Sequence, residues 1–410
     1  MFHKVSRMQQ TLEERAKAAL TKDFSPSGSE DCPELIETQL ENEKNLEALL
    51  LELIDSYGPA HALSIQVFFH LFDVLIGLYR LNKCDAYLDI FRESCCDSMQ
   101  TSSDRLKWFQ SLAFTRWKQG KFQDAINAFK EIENLMQGDP SGALYENMAH
   151  TYSSMGQYEN AKEYFQRSIT ASGEGCGGTL LGLGLLYERT GDVDQGITLA
   201  TRALQWYEAR FSAKGNESSL EAKCCLSLSK MYIIKSDTVM AGKLADRALD
   251  IFRRTCGDDS PLVSGALRVK AEILAINGEN ETATDILIES LEIEAQKDAI
   301  DLLVIVENIQ HLTVAIRQIT SSSRDHIACG IVDRVAKACN IVRQRVSLDG
   351  NIAAVLKFAA ELAIYANRLS SAKKLLEDAL PLFEAETSMD CSSLVTQCKE
   401  LIHILDTRLV

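Results

Sequence analysis

The sequence predicts an all-α solenoid of about eight helical hairpins closed by N- and C-terminal capping helices. Three observations carry this prediction. The chain has 410 residues, 46% of them apolar and 25% charged, which suits two or three ordinary domains or one elongated repeat array. It holds six prolines and 7% aromatics, whereas long sheets need denser turn punctuation. A helix-turn-helix pattern also recurs, with turns at positions 120, 156, 191, 236, 278 and 367, so that the steps are 36, 35, 45, 42 and 89 residues. The last step is two periods, and periods of this length mark stacked supersecondary units.

The N-terminus, MFHKVSRMQQTLEERAKAAL, lacks the apolar core of a secretory signal, and Glu13 and Glu14 oppose an import peptide. It reads as an amphipathic helix followed by a flexible linker, DFSPSGSEDC, together spanning residues 1–32. Residues 33–59 hold an acidic capping helix. In PELIETQLENEKNLEALLLELIDS, Ile36, Leu40, Leu46, Leu50, Leu53 and Ile54 share one side, with seven acids and Lys44 the single base. Solenoid ends need a polar outer cover; the competing reading has this helix dock a basic partner.

The repeat array is expected over 60–386. Its first stretch, AHALSIQVFFHLFDVLIGLY, has membrane-like hydropathy, but Asp73 sits mid-run, with His61, Gln66 and His70 in the same window. An Asp at a bilayer centre costs roughly 2.5–3.5 kcal/mol on insertion scales, so the run reads as a buried helix. With VLIGLYRLNKCDAYLDIF it forms a degenerate hairpin turning near Asn82. Two clear units follow, WFQSLAFTRWKQGKFQDAINAFKEI and YENMAHTYSSMGQYENAKEYFQRSI. Aligned on Gly120 and Gly156, they share a small residue before the turn (Ala113, Ala149), an aromatic just after it (Phe122, Tyr158), then Ala (Ala125, Ala161) and Phe (Phe129, Phe165). The Gly tolerates the left-handed conformation of a tight helix-helix turn. Small residues let two axes approach, and the aromatics fill the wedge to the next pair.

The frame continues with Gly184, Tyr187, Gly191 and Ala203, then with Leu228, Tyr232, Ala241 and Ala248, then with Ala271, Gly278, Ala283 and Leu287, and last with Ala360, Asn367, Ala372 and Ala379. Inside the double step, ENIQHLTVAIRQITSSSRDHIACGIVDRVAKACNIV supplies a hidden hairpin turning near Ser322, with Ala328 in the small position. Residues 387–410 carry the C-terminal cap, within CSSLVTQCKELIHILDTR.

These units resemble the tetratricopeptide repeat family over roughly residues 60–386, which implies a right-handed superhelix. The later units resemble the kinesin-light-chain type, whose connection G-x-D-x-P-x-V is similar to Gly257, Asp259, Pro261 and Val263, with Ser260 where that pattern often has His. The resemblance implies that first helices line a concave groove for extended or helical peptides. It places Lys107, Gln110, Phe114, Trp117 and Lys118 there, then Glu146, Asn147, His150 and Ser153, then Leu181, Leu185, Glu188 and Arg189. Phe114 and Trp117 are the expected anchors, because exposed aromatics dominate interface energy. The family's chaperone-tail clamp needs Lys, Asn and Arg where this chain has Gln110, Phe114, Glu146 and His150, so that clamp is absent. Of the Asn positions that bind cargo backbone in kinesin-light-chain repeats, Asn147 alone matches.

Net charge −15 opposes a footprint for nucleic acid or an anionic bilayer, and makes a basic protein partner the easier expectation. Twelve cysteines without C-x-x-C or His spacing read as packed thiols in a reducing compartment, hence the cytoplasm. No G-K-[ST] loop, H-E-x-x-H pair or G-x-S-x-G elbow occurs. His326 and Cys329 lack a third group, so no catalytic, metal or cofactor site is expected. A literal G-x-G-x-x-G at Gly173, Gly175 and Gly178 follows a helical pattern rather than a strand, so it is read as a joint between hairpins. The expected function is a non-enzymatic adaptor binding a peptide segment or helix in the groove, with motor, ciliary or cytoskeletal assemblies implied by family association. The alternatives are an architectural subunit of a larger complex and a ligand-responsive sensor.

Overall fold

A computed structural model describes residues 12–21, 33–78, 80–92, 102–136, 140–173, 176–211, 218–297, 300–319, 321–345, 350–386 and 391–409. Their regular structure is helical throughout, with no strand among them. A first helical stretch, α1, covers 12–20. It is followed by α2 (Pro33–Tyr57), α3 (Ala62–Gly77), α4 (Leu81–Arg92), α5 (Ser102–Lys118), α6 (Phe122–Leu135), α7 (Gly142–Ser154), α8 (Tyr158–Ser172), α9 (Gly177–Arg189) and α10 (Val193–Phe211). These belong to one compact unit, Met1–Ala213. The second unit, Lys214–Val410, contains α11 (Ser219–Ile234), α12 (Thr238–Cys256), α13 (Pro261–Ile276), α14 (Asn280–Gln296), α15 (Leu302–Gln318), α16 (Ser321–Arg345), α17 (Gly350–Tyr365), α18 (Leu369–Ala385) and α19 (Ser392–Leu409). Helices α3 to α14 pair in order, as do α17 and α18, which makes seven helix pairs among the described residues, with α15 and α16 between them packed differently.

The six turn positions that set the repeat period are all left-handed: Gly120 (φ +73°), Gly156 (φ +73°), Gly191 (φ +93°), Ser236 (φ +62°), Gly278 (φ +85°) and Asn367 (φ +56°). At each one the next residue donates its N–H to the carbonyl five residues back. Lys121 donates to Arg116 at 2.8 Å, Gln157 to Tyr152 at 2.9 Å and Asp192 to Tyr187 at 2.8 Å. Asp237 donates to Tyr232 at 2.9 Å, Glu279 to Leu274 at 2.8 Å and Arg368 to Ala363 at 2.8 Å. This bond satisfies a carbonyl that the end of an α-helix otherwise leaves open. It also fixes the angle at which the second helix folds back.

The small positions lie where the two helices of a pair touch. Ala113, Ala149, Ala271, Ala360, Ala125, Ala161, Ala241, Ala283 and Ala372 are all buried. In the fourth clear unit the register departs from the expected Leu228: Ser229 occupies the small position, fully buried, and its Oγ donates to the Ala241 carbonyl at 2.8 Å. A Cβ at Gly184 would lie 3.0 Å from the Gly196 carbonyl oxygen, so the α9–α10 pair packs backbone to backbone. At the G-x-D-x-P connection, Gly257 (φ +84°) ends α12, Ser260 caps α13 by accepting from the Leu262 N–H, Pro261 opens the helix and Val263 is buried.

Two expected turns sit elsewhere. In the degenerate hairpin α3 ends at Gly77 and α4 begins at Leu81, so that Asn82 falls inside α4 instead of at the turn. There Arg80 donates to Leu75 at 2.9 Å, the same bond as in the clear repeats, so the helix reverses before the polar cluster that suggested the turn. The hidden pair breaks at Ile319, an extended residue, and Ser322 lies inside α16. Here α15 and α16 diverge; α15 packs between α14 and α17, while α16 lies mainly on α14. The side chain of Ala328 lies outside the described residues.

At the N-terminal end α1 buries Leu12 and Ala16 against Leu46, Leu49, Leu50 and Leu53 of α2 and the core of α3. Arg15 pairs with Glu52 at 2.7 Å. On the other side of α2, the Lys83 ammonium bridges Glu43 at 2.7 Å and Glu47 at 2.9 Å, and the Tyr87 hydroxyl donates to Glu47 at 3.0 Å. Acids of α2 that the sequence offered to a basic partner are thus engaged within the chain. At the other end α19 buries Cys391, Cys398 and Leu405 against the preceding core. Lys373 pairs with Asp406 at 2.6 Å, and Lys399 with Glu384 at 2.7 Å.

Ser236 carries the left-handed conformation that costs an L-residue about 1–2 kcal/mol. Ser236→Gly is therefore expected to stabilise the second unit by up to about that amount, raising the midpoint of thermal unfolding followed by circular dichroism.

Candidate functional site

In the first unit α3, α5 and α7 each lead a helix pair, and their outward faces enclose a cleft of about 1250 Å³. Helix α5 contributes Lys107, Gln110 and Phe114, and α7 contributes Asn147. These four expected groove residues are brought together. Phe114 is 41% exposed, which is high for an aromatic ring on a packed helix.

The other nine, Ser153 among them, do not line the cleft. Trp117 is half-buried against the core of the first clear repeats, and Lys118 lays its ammonium 5.6 Å from the Phe114 ring and 5.5 Å from that of Trp117. Glu146 accepts from the Thr179 hydroxyl at 2.6 Å and from the Cys176 thiol at 3.1 Å. His150 meets the Phe165 ring edge-on at 5.1 Å, and burial lowers its pKa while Glu146 opposes the shift. Both therefore fasten one repeat to the next. Leu181, Leu185 and Glu188 are half-buried along α9, and the Arg189 guanidinium stacks 5.8 Å from the Tyr158 ring.

Helix α3 supplies the part of the cleft that the sequence reading missed: Gln66, Phe69, His70, Asp73 and Ile76, with Leu20 of α1 alongside. The signal was present. Gln66, Phe69 and Asp73 are spaced as Lys107, Gln110 and Phe114 are, so the repeat frame identifies them once α3 is seen to end before Leu81 instead of running on to a turn near Asn82. Of the polar residues that argued against a membrane span, Gln66, His70 and Asp73 line the cleft, while His61 caps α3. Among the described residues no helix is long and apolar enough to cross a membrane.

Asp73 lies on the most apolar helix of the array, open to the cleft yet surrounded by Phe69, Phe72 and Ile76. This burial raises its pKa above the usual carboxylate value, while His70 and Lys107 pull it down. It makes no hydrogen bond or ion pair with any described residue. The Lys107 ammonium instead rests 5.7 Å from the Phe69 ring centroid.

The glycine-rich joint is built for packing. Gly173 (φ +81°) ends α8, and residues 174–175, including the expected Gly175, lie outside the described residues. A Cβ on Gly178 would come 2.6 Å from a Glu146 carboxylate oxygen, and one on Gly182 would come 2.7 Å from the Phe165 ring. These glycines let α9 close onto α7 and α8. Among the described residues no group of three or more His, Cys, Asp or Glu side chains converges as a metal site. Cys84, Cys224 and Cys339 are buried and their thiols are pushed up to about 12 by desolvation, which makes them inert packing groups. Cys95 and Cys96 lie outside the described residues, as do the side chains of His326 and Cys329.

A row of helix pairs with left-handed closures, small interface residues and a cleft on the leading helices defines a helical-repeat interaction protein. The α7–α8 pair is a tetratricopeptide repeat: the tetratricopeptide repeat family model matches residues 143–174. Among solved structures the chain is similar to the apo form of the quorum sensor NprR from B. thuringiensis, at 12% identity and a TM-score of 0.50, covering 92% of this chain and 99% of that one. A tetratricopeptide repeat protein from Parabacteroides merdae is 12% identical with a TM-score of 0.48, covering 75% of this chain and 99% of that one. Kinesin light chain TPR-like repeats from Podosopora anserina are 16% identical with a TM-score of 0.38, covering 50% and 93%. At these identities the likeness is one of fold, and the first comparison carries it. No curated protein matches the chain.

Two outcomes are expected of substitutions here. Asp73→Asn removes a desolvated carboxylate, so it should raise the unfolding midpoint at neutral pH. Because the folded pKa of Asp73 is raised, wild-type stability grows as pH falls through that value towards the unfolded one, and the advantage of Asn should shrink over the same window; melting curves from pH 7 to about 4 read this directly. Gly182→Ala should cost about 1–3 kcal/mol by overpacking against Phe165, measured by denaturant unfolding.

Proposed function

We propose that this chain is a non-enzymatic adaptor whose first-unit cleft receives a peptide segment or helix of a protein partner. A scaffold role in protein interaction is what the tetratricopeptide fold supports in general; the site and its occupant are this reading's addition. One observation supports them above the rest: the cleft places the exposed Phe114 among Lys107, Gln110 and Asn147 on the leading helices of consecutive repeats. An apolar anchor ringed by polar groups is the usual anatomy of a binding hot spot. Net charge −15 favours a basic partner. On this reading α1–α2 and α19 cap the ends of the array spanning 60–386. The cytoplasm, in a motor, ciliary or cytoskeletal assembly, is the setting proposed by family association.

Affinity purification with mass spectrometry tests the reading. Phe114→Ala combined with Gln110→Ala should leave the unfolding midpoint within a few degrees of wild type and remove the partners recovered with wild type. A retained set of partners at unchanged abundance would sink the cleft assignment. Direct titration of a recovered partner should show a loss of about 2 kcal/mol or more from Phe114.

A further inference from the structure

Asp73 is the feature that neither the fold nor the general adaptor reading explains. A carboxylate stands in the middle of VFFHLFDVLIG, exposed on the cleft side of α3, and no described residue makes a hydrogen bond or ion pair with it. Helix α2 shows the contrast: its partly buried Glu43 and Glu47 converge on Lys83. Around Asp73 the chain provides the wall of a cation site and leaves its centre open. Phe69 and Phe114 both line the cleft, and aromatic faces beside a carboxylate attract a guanidinium or ammonium group by charge and ring quadrupole together. Lys107 already uses the Phe69 ring in this way at 5.7 Å, held by a long exposed stem that can swing aside.

We propose that Asp73 seats a basic side chain of the bound segment, arginine foremost, so that the cleft selects peptides in which an arginine or lysine adjoins an apolar residue destined for Phe114. This rests on the cleft being the binding site. The carboxylate supplies the charge partner, Phe69 and Phe114 flank the cation, and Gln66, Gln110 and Asn147 present amides to the peptide backbone. The raised pKa of Asp73 fits a carboxylate held ready for a counter-ion that arrives with the ligand. The charged and titratable groups lining the same cleft are His70, Asp104 and Lys107. Of these Lys107 opposes an incoming cation, which gives the test its second sign.

The test is a phage-displayed random peptide library panned on the full-length protein, with the strongest binder then synthesised, labelled and titrated by fluorescence anisotropy. The selected peptides should carry arginine or lysine beside an apolar residue. Asp73→Asn should weaken the binder about tenfold or more, and arginine-to-glutamine exchange in the peptide should weaken it equally. Both changes together should lose no more than either alone, and Lys107→Ala should tighten binding. If Phe114→Ala abolishes binding while the peptides lack basic residues, or while Asp73→Asn binds like wild type, the cation seat is wrong and the cleft stands. If Phe114→Ala and Gln110→Ala leave every selected peptide bound, or if no peptide is selected, the cleft itself is the wrong site and the cation seat falls with it.

Discussion

The fold depends on one backbone device, the left-handed residue that closes a hairpin and the hydrogen bond its successor sends back five residues. An isolated helical hairpin has no reason to hold a particular crossing angle. The left-handed turn with its reverse bond from Lys121 to Arg116, repeated from Gln157 to Tyr152 and onward, sets that angle the same way each time. Small residues at Ala113 and Ala125, or Ala149 and Ala161, then meet at a fixed height along both helices, and the larger side chains are left to bridge to the next pair. At Ile319 the chain is extended instead, and α15 and α16 part company, each finding its packing on other helices.

The same device governs the cleft. Because α3, α5 and α7 are delivered to equivalent positions by equivalent turns, residues at matching distances from the turn line up across repeats. That alignment converts three separate helix surfaces into one concavity. It also explains why Glu146 and His150, in register with Gln110 and Phe114, do other work: α9 comes close enough, over Gly178 and Gly182, to draw them into the repeat interface. The cleft therefore ends at Asn147. At the opposite end α1 contributes Leu20, so the segment before the first repeat forms part of the wall.

Asp73 shows how such a site is accommodated. The helix that carries it buries Ile65, Phe68, Leu71, Phe72 and Leu75, and this apolar face is ample to hold α3 against α2 and α4 despite one desolvated carboxylate. Stability supplied by a broad hydrophobic face tolerates a locally unfavourable group on the other side, where a ligand can reach it.

Sequence alone determined the all-helical class, the repeat period, six of the turns and most of the small interface positions, because each has a local cause: a residue able to adopt positive φ, or a small side chain at a fixed offset from it. It missed that α3 ends at Gly77 and α4 begins at Leu81, where neighbouring polar residues pointed to a turn near Asn82, and with it the α3 half of the cleft. It also took Trp117, Glu146 and His150 for groove residues, since a helical register says which way a side chain points and nothing about how near the next helix comes. That distance depends on glycines in a different repeat. Which of thirteen candidates gather around one cleft, and that the Asp73 carboxylate joins them there, was decided by the packing of α1, α3, α5 and α7, elements whose spacing no local signal encodes.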